Sequence, residues 1–516
     1  MRQVTRHPAT AFAILRARLA GKRLRARQAL AALVGLDHRR LWLSEPIEVV
    51  AALRQPTEGR AFEVVHVGSG HSLVEGAEDR FAAAFESDPT IQALYGDALV
   101  EVAGRRSVRF PLLRPAFDPE YLLGLDYIGP VLAFRRSALE SVGGTADAPS
   151  QALAMDILLR ITDRFGREAV RHLPRIVSVW RADASGEGAS SARAGRLEAV
   201  RRHLQRAGET SARPDMADTG VITVTRPLPD PLPLVSLIVP TRDRLDLLRP
   251  CIDSLTERTD WRAREILICD NDSGDPATHA YFRKLAAKGV ARIVACPGPF
   301  NFATMNNAAA AQARGLLLAF VNNDVEAFQP DWLARMVREA LRPDVGAVGA
   351  KLLDGEGRIQ HAGIVLGTGG LVTHGHRYFR GDAMGYLSAL EATREVSAVT
   401  AACLVVDARK FAEVGGFDAQ AFAVDFNDVD LCLRLNGAGY RTLLVPGAVL
   451  HHREAASRRW DPEARARHMR EVEALKERWG PLLAQDPHYH PSFDPGLGTY
   501  ARLRRDWLGA AEAAPR

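Results

Sequence analysis

The chain has 516 residues, of which 47% are apolar and 25% charged, with a formal net charge of +5. That length exceeds one modest core and predicts two domains plus tails, and the apolar and charged fractions are those of a globular protein. Five cysteines at 251, 269, 296, 403 and 432 lack short paired spacings, which argues against a disulfide scaffold or a zinc set and for a reducing compartment.

Residues 1–40 hold ten Arg or Lys against one Asp. The stretch "ILRARLAGKRLRARQALAALVGL" at 14–36 reads in two ways: a basic amphipathic helix lying on anionic lipid, or a helix packed on its own domain with a solvated arginine face. No aromatic-basic groove accompanies the charge, so nucleic acid is not an expected partner. No apolar run approaches the roughly 18 residues of a membrane span, and the N-terminus lacks the apolar core of a signal peptide. The expected location is cytoplasmic, with peripheral contact at the inner face of the membrane as the alternative the basic segment raises.

Next in the chain, "FEVVHVGSGHS" at 62–72 offers a strand and glycines without a complete dinucleotide or P-loop motif. The order "LAFRRSALESVGGTADAP", "AMDILLRITDRFG", "RHLPRIVSVWR" between 132 and 181 is repeated later as "CLVVDARKFAEVGGFDAQ", "DFNDVDLCLRLNGAG", "YRTLLVPGAVLHH". This echo predicts a domain duplication, with Asp97 and Asp156 as faint counterparts of an acidic loop and a base.

Small, polar and proline residues near 205–233 mark a boundary. Beyond it, "LVSLIVP" at 234–240, "EILICD" at 265–270, "ARIVAC" at 291–296 and "LLLAFVNND" at 316–324 read as buried strands, with helical periods between them. The alternation predicts an α/β domain with crossover connections. The strongest strands end at Pro240-Thr241, Asp270-Asn271 and Asn323-Asp324, along the edge where open parallel sheets bind ligands. "ACLVV" then reads as a strand and "DARKFAEV" as a helix closed by Gly415-Gly416, before the acidic helix start at 425.

Asn322, Asn323, Asp324 and Glu326 follow an apolar strand, where a carboxylate can hold Mg²⁺ or Mn²⁺ through oxygen while a diphosphate fills other positions. Asp428, 104 residues after Asp324, can accept a proton from an attacking hydroxyl. The plainer reading makes Asp425 or Asn427 the helix N-cap and leaves Asp428 and Asp430 to the first turn.

Seven ordered blocks between 236 and 460 resemble a bacterial family 2 glycosyltransferase of the GT-A fold, of the type that builds O-antigens and rhamnose-containing glycans. They are "SLIVPTRDR", "ILICDNDS", "FNFATMNNAAAAQARG", "LLLAFVNNDVE", "IQHAGIVLG", "SAVTAACLVV" and "FNDVDLCLRLNGAGY". The resemblance implies that Pro240, Thr241, Asp243, Asp270, Asn271, Asn306, Asn322 and Asn323 surround the donor. It implies that Asp324 and His451 face the metal, with His452 the alternative, and that Asp428 is the general base. The departure is Asn322, where the family's first metal-motif aspartate stands. The reaction implied is inverting transfer from a nucleotide-sugar to a hydroxyl of a lipid-linked or growing saccharide, with polysaccharide assembly proteins as further partners.

The fold class expected is α/β: a basic helical segment at 1–55, a degenerate GT-A-like domain at 56–210, a linker at 211–232, the catalytic domain with a mostly parallel sheet at 233–460, and a helical tail at 461–516. The alternative is a noncatalytic glycan-binding or scaffolding protein. Nucleotidyltransferase, metalloprotease and serine hydrolase readings lack their signatures, and although two carboxylates could serve a glycoside hydrolase, the ordered nucleotide-sugar blocks favour synthesis over water attack.

Overall fold

The computed structural model describes residues 8–19, 21–34, 61–66, 70–102, 108–145, 152–182, 189–453, 461–500 and 502–504. Residues 35–55 of the basic segment and 454–460 of the expected catalytic domain lie outside the described residues.

The larger sheet begins with four parallel strands. Arg292–Ala295 pairs with Arg264–Asp270, which pairs with Val235–Thr241, which pairs with Leu317–Val321. Val235–Thr241 is buried at every residue, and the helices Leu245–Glu257 and Pro276–Ala287 make the crossovers. Apolar runs without alternation are what a sheet covered on both faces requires. The sheet continues through antiparallel Cys403–Asp407, then Val345–Leu353, the parallel Arg441–His452 and the short antiparallel Val325–Ala327. The α/β class implied by the GT-A resemblance is therefore the class of the structure.

The smaller sheet repeats the second half of that order. Phe62–His66 pairs antiparallel with Val131–Arg135, which pairs antiparallel with Ala93–Val102, which runs parallel to Val170–Ala182, with His71–Leu73 antiparallel at the edge. Strand for strand this matches Leu317–Val321, Cys403–Asp407, Val345–Leu353, Arg441–His452 and Val325–Ala327. The likeness extends to single hydrogen bonds. Arg434 donates from Nε to Asp430 and from its other nitrogens to the Val414 and Gly416 carbonyls. Arg160 does the same to Asp156, Val142 and Gly144. Among the described residues, the smaller sheet has no counterpart of the three parallel strands at 235–241, 264–270 and 292–295.

That register corrects two expectations. Asp156 occupies the place of Asp430, and Ala154 stands where Asp428 would be, so the smaller domain does not echo the base. Asp97 matches Lys351 rather than an acidic loop. Between the domains, residues 211–232 hold a hairpin of Arg213–Met216 with Ile222–Thr225, turned at Gly220. Glu120 of the smaller domain is buried among Arg226, Arg342 and Arg441, and Arg167 grips Glu395 through two bonds of 2.6 and 2.7 Å.

Candidate active site

Because the four parallel strands run in register, Thr241 and Asp270 end side by side, and the 322–324 turn leaves the neighbouring strand at the same edge. The loops there are tied to one another. Asn271 N–H donates to the Thr241 carbonyl at 3.0 Å, and Asn323 Nδ2 donates to Thr241 Oγ1 at 2.9 Å. Asp243, at φ +50°, accepts from Gly274 and Asp275 N–H at 2.8 and 2.9 Å, while its own N–H donates to Ser273 Oγ. Asp270 accepts from Ser273 N–H at 3.1 Å. Pro240 is buried as the penultimate residue of its strand.

Three buried amide oxygens at this edge have no hydrogen-bond partner: Asn271 Oδ1, Asn306 Oδ1 and Asn322 Oδ1. Asn271 spends its amide nitrogen on the Cys296 and Gly298 carbonyls, and Asn306 spends its own on the Phe302 carbonyl, so each oxygen is left as an acceptor. Buried acceptors are rarely left unsatisfied, so each of these oxygens has capacity for one further donor or an ion.

Asp324 is 7% exposed, and its Oδ1 lies 3.2 Å from His452 Nε2. The structure puts His452 there and not His451, whose ring lies against Phe328 with centroids 4.5 Å apart. The cause is strand alternation: Leu450 and His452 are buried on one face of Arg441–His452, and His451 points the other way. His452 Nδ1 meets Gln360 Oε1 at 3.1 Å. With the amide so oriented, Nδ1–H donates to Gln360 Oε1 and Nε2 faces the Asp324 carboxylate.

The helix Asn427–Gly437 starts without a side-chain cap; its N-cap is Phe426, at φ +60°. The N-cap role expected of Asp425 or Asn427 is therefore not what places these acids. Asp425 pairs with His468 at 3.0 Å. Asp430 is fully buried, bonded to Arg434, Arg478 and Trp479 Nε1. Asp428 is left facing the loop before Cys403–Asp407, where Ala401 N–H donates to its Oδ2 at 3.1 Å and Val429 N–H to its Oδ1 at 2.9 Å. Burial raises the Asp428 pKa, against the pull of those two N–H groups and the Thr400 hydroxyl. A bulky residue at positive φ beside it is costly, which the surroundings must hold in place.

That loop joins the two acidic centres. Ala402 O accepts from Asn322 N–H at 3.0 Å, Ala401 N–H reaches Asp428, and Thr400 N–H reaches His361 Nε2 at 3.4 Å. His361 passes a bond from Nδ1 to His374 Nδ1 at 2.8 Å, and burial holds both rings neutral, His374 with a pKa down to about 3. Gln360, His361 and His374 were not singled out from the sequence, although "IQHAGIVLG" was; thirteen residues separate the paired histidines, and no local period links them. A Cβ on Gly349 would lie 2.5 Å from Val399 Cβ, the residue before this loop. Gly349→Ala is expected to destabilise the fold by about 1–3 kcal/mol through overpacking, read as a lower urea midpoint at unchanged slope.

Residues 236–382 match Glycosyl transferase family 2. That stretch, 236–382, is a family 2 glycosyl transferase domain. The family 2 domain belongs to a chain that is 35% identical over 441 residues to the O-antigen biosynthesis protein RfbC of Myxococcus xanthus, covering 82% of this chain and 32% of that protein. It is 37% identical over 424 residues to an uncharacterized protein, y4gI, of Sinorhizobium fredii, covering 79% and 46%. The chain thus spans less than half the length of these curated relatives. The mannosyltransferase PcManGT of Pyrobaculum calidifontis, solved with GDP-Man and Mn²⁺, aligns over 63% of this chain and 83% of its own at 18% identity and a TM-score of 0.37.

Away from the family 2 site, Asp97, His172 and His490 bring their ligand atoms within 4.8 Å of one another. Ser492 N–H donates to His490 Nδ1 at 3.0 Å, so the His490 proton sits on Nε2 and is given to Asp97 at 2.9 Å. Burial alone would raise the Asp97 pKa, but His490 and His172 hold it below the usual range. The trio is a clamp of the C-terminal segment on the smaller domain, with no lone pair left on His490 for a metal. A small pocket lined by Tyr121, Tyr386, Phe493, Tyr500, Asp118 and His488 lies beside that clamp and contains neither Asp324 nor Asp428.

Proposed function

We propose that the chain transfers a sugar, with inversion, from a nucleotide-sugar donor to a hydroxyl of a lipid-linked or growing surface saccharide. The observation that carries this is the single loop Thr400–Ala402, which hydrogen-bonds the turn bearing Asp324 on one side and Asp428 on the other. A donor diphosphate at Asp324 and an acceptor hydroxyl at Asp428 would then lie against one short, rigid segment.

In this reading the polar strand ends hold the nucleoside. Thr241, Asn271 and Asn323 already bind one another, and the free oxygens of Asn271, Asn306 and Asn322 offer acceptors to the donor's N–H or O–H groups or to an ion. Asp243 and Asp270 shape the 271–275 loop around it. Asp428 takes the proton of the acceptor hydroxyl as that oxygen bonds to the anomeric carbon. The bond from that carbon to the diphosphate oxygen breaks, and the nucleoside diphosphate leaves.

Mg²⁺ or Mn²⁺ fits the residues present. Oxygen donors suit either ion, whereas an imidazole ligand disfavours the harder Mg²⁺, and ligands about 2.1 Å from an octahedral ion sit about 3 Å apart when adjacent, close to the 3.2 Å between Asp324 and His452. Such an ion supplies charge neutralisation to the departing diphosphate. Asn322 in place of a second carboxylate leaves less negative charge to hold it. In this reading the metal-side histidine is His452 rather than His451, a choice supported by its contact with Asp324. Loss of a ligand should exceed the roughly 10–100-fold cost of losing an outer partner. His452→Ala and Asp324→Ala are therefore expected to weaken Mn²⁺ binding by more than about ten-fold by calorimetry, and His451→Ala to leave it unchanged. Equal losses from the two histidines would sink the assignment.

A nucleotide-sugar donor and the five buried, free cysteines both suit the cytoplasm. No helix among the described residues is long and apolar enough to cross a membrane. The sugar transferred, hexosyl or deoxyhexosyl such as rhamnosyl, is set by pocket contacts that a donor screen reads directly.

A further inference from the structure

The basic N-terminal stretch folds as two helices, Pro8–Leu19 and Arg23–Val34, packed on each other across a turn at Gly21. The second helix is tied to the body. Ala26, Gln28 and Ala29 are buried, Gln28 Nε2 donates to the Leu497 carbonyl at 3.1 Å, and Leu24 lies against Gly369. The first helix does the opposite of what a helix on a soluble domain does. Phe12, Leu15 and Leu19 recur at i, i+3 and i+7 on one stripe and are 65%, 53% and 80% exposed, while Ile14 and Ala17 on the opposite side are half-buried.

Arg16 and Arg18, both exposed, flank that stripe on its two sides, and Lys22, Arg23, Arg25 and Arg27 continue the charge. Residues 8–34 hold these six basic side chains and no acidic one. An apolar stripe bordered by arginines matches the boundary of an anionic bilayer, where the apolar groups enter the acyl region and the guanidinium groups meet phosphate. A protein partner would need acidic groups ringing a hydrophobic slot; the bilayer supplies both features over any area.

We propose that the hairpin 8–34 is a docking surface for an anionic lipid bilayer. The hairpin also touches the family 2 domain, where Leu24 packs against Gly369. Docking would bring the site to the membrane surface, where a lipid-linked acceptor lies. That consequence rests on the transferase reading, whereas the docking itself does not.

The test is co-sedimentation of the full chain with phosphatidylcholine vesicles, with and without phosphatidylglycerol, at low and high salt. No donor or acceptor is needed, so a failed transfer assay would leave the result standing. Binding is expected only with phosphatidylglycerol, weakened by salt, and lowered at least about ten-fold in Phe12→Ser/Leu15→Ser/Leu19→Ser, whose exposed positions leave the fold intact by thermal melt. Failure of the wild-type chain to bind anionic vesicles, or equal binding by the triple variant, would overturn the proposal. So would self-association of the wild-type chain that the triple variant abolishes without any vesicle binding, since the stripe would then be a contact between copies.

Discussion

Asp428→Asn is expected to lower sugar transfer by about 10²–10⁴-fold, the usual contribution of a positioned general base, while leaving donor binding in place. The amide keeps the shape and one acceptor oxygen but has no proton affinity to offer the attacking hydroxyl. Some local cost is expected, because Asp428 accepts from both Ala401 and Val429 N–H and an amide can accept from only one side. The pH dependence follows from the same residue. Burial raises its pKa above the ordinary aspartate value, more than the two N–H groups lower it. The base works ionised, so activity is retained above that raised pKa and lost as pH falls through it, placing the acid limb of the kcat/KM profile above the usual aspartate range. Transfer rates across pH for the wild-type chain and the residual activity of the folded variant check both statements.

Asp430→Ala, two residues along, is expected to act on stability instead. Asp430 is fully buried, and its carboxylate joins Arg434 within its helix to Arg478 and Trp479 of the helix Pro462–Leu483. Removing one partner of a buried charge pair leaves the other uncompensated and costs about 3–5 kcal/mol. The lower part of that range applies here, because Arg478 is 37% exposed and can regain water. A fall in the urea midpoint of that size, with any surviving folded protein keeping its metal affinity, is the expected result. An unchanged midpoint would mean that the bonds to Arg478 and Trp479 are not made in solution. The two substitutions separate roles that the string "DFNDVDLCLR" presents side by side.

The parallel half of the fold was legible because it leaves local marks. A strand covered on both faces must be apolar at every position, as Val235–Thr241 is, and it must turn polar where it meets the loops. The strand order that the two sheets share left a mark as well, in the double glycines Gly143-Gly144 and Gly415-Gly416 that each precede an acidic helix, whose arginine bonds back to that turn. What the sequence hid was which partner each acid takes. Asp156 aligns by eye with the acidic helix start, yet only the strand register shows that its counterpart is Asp430. His452 could have been chosen over His451 by counting alternate residues from the buried Leu450. The register shift between Ala350 and Lys351 against Arg441–His452 shows why a count from the start of that strand fails. The His361–His374 bond and the loop Thr400–Ala402 depend on tertiary contacts with no local period.

The most direct test of the central claim is a screen of nucleotide-sugar donors for transfer to saccharide acceptors and for hydrolysis, run with the wild-type chain, Asp324→Ala and Asp428→Asn, with and without Mn²⁺. Metal-dependent turnover of one donor is predicted, absent in Asp324→Ala and strongly reduced in folded Asp428→Asn. Donor binding with no turnover across a broad acceptor panel would contradict a transferase and leave a glycan-binding or scaffolding protein, and full activity in Asp428→Asn would remove the base on which the mechanism stands.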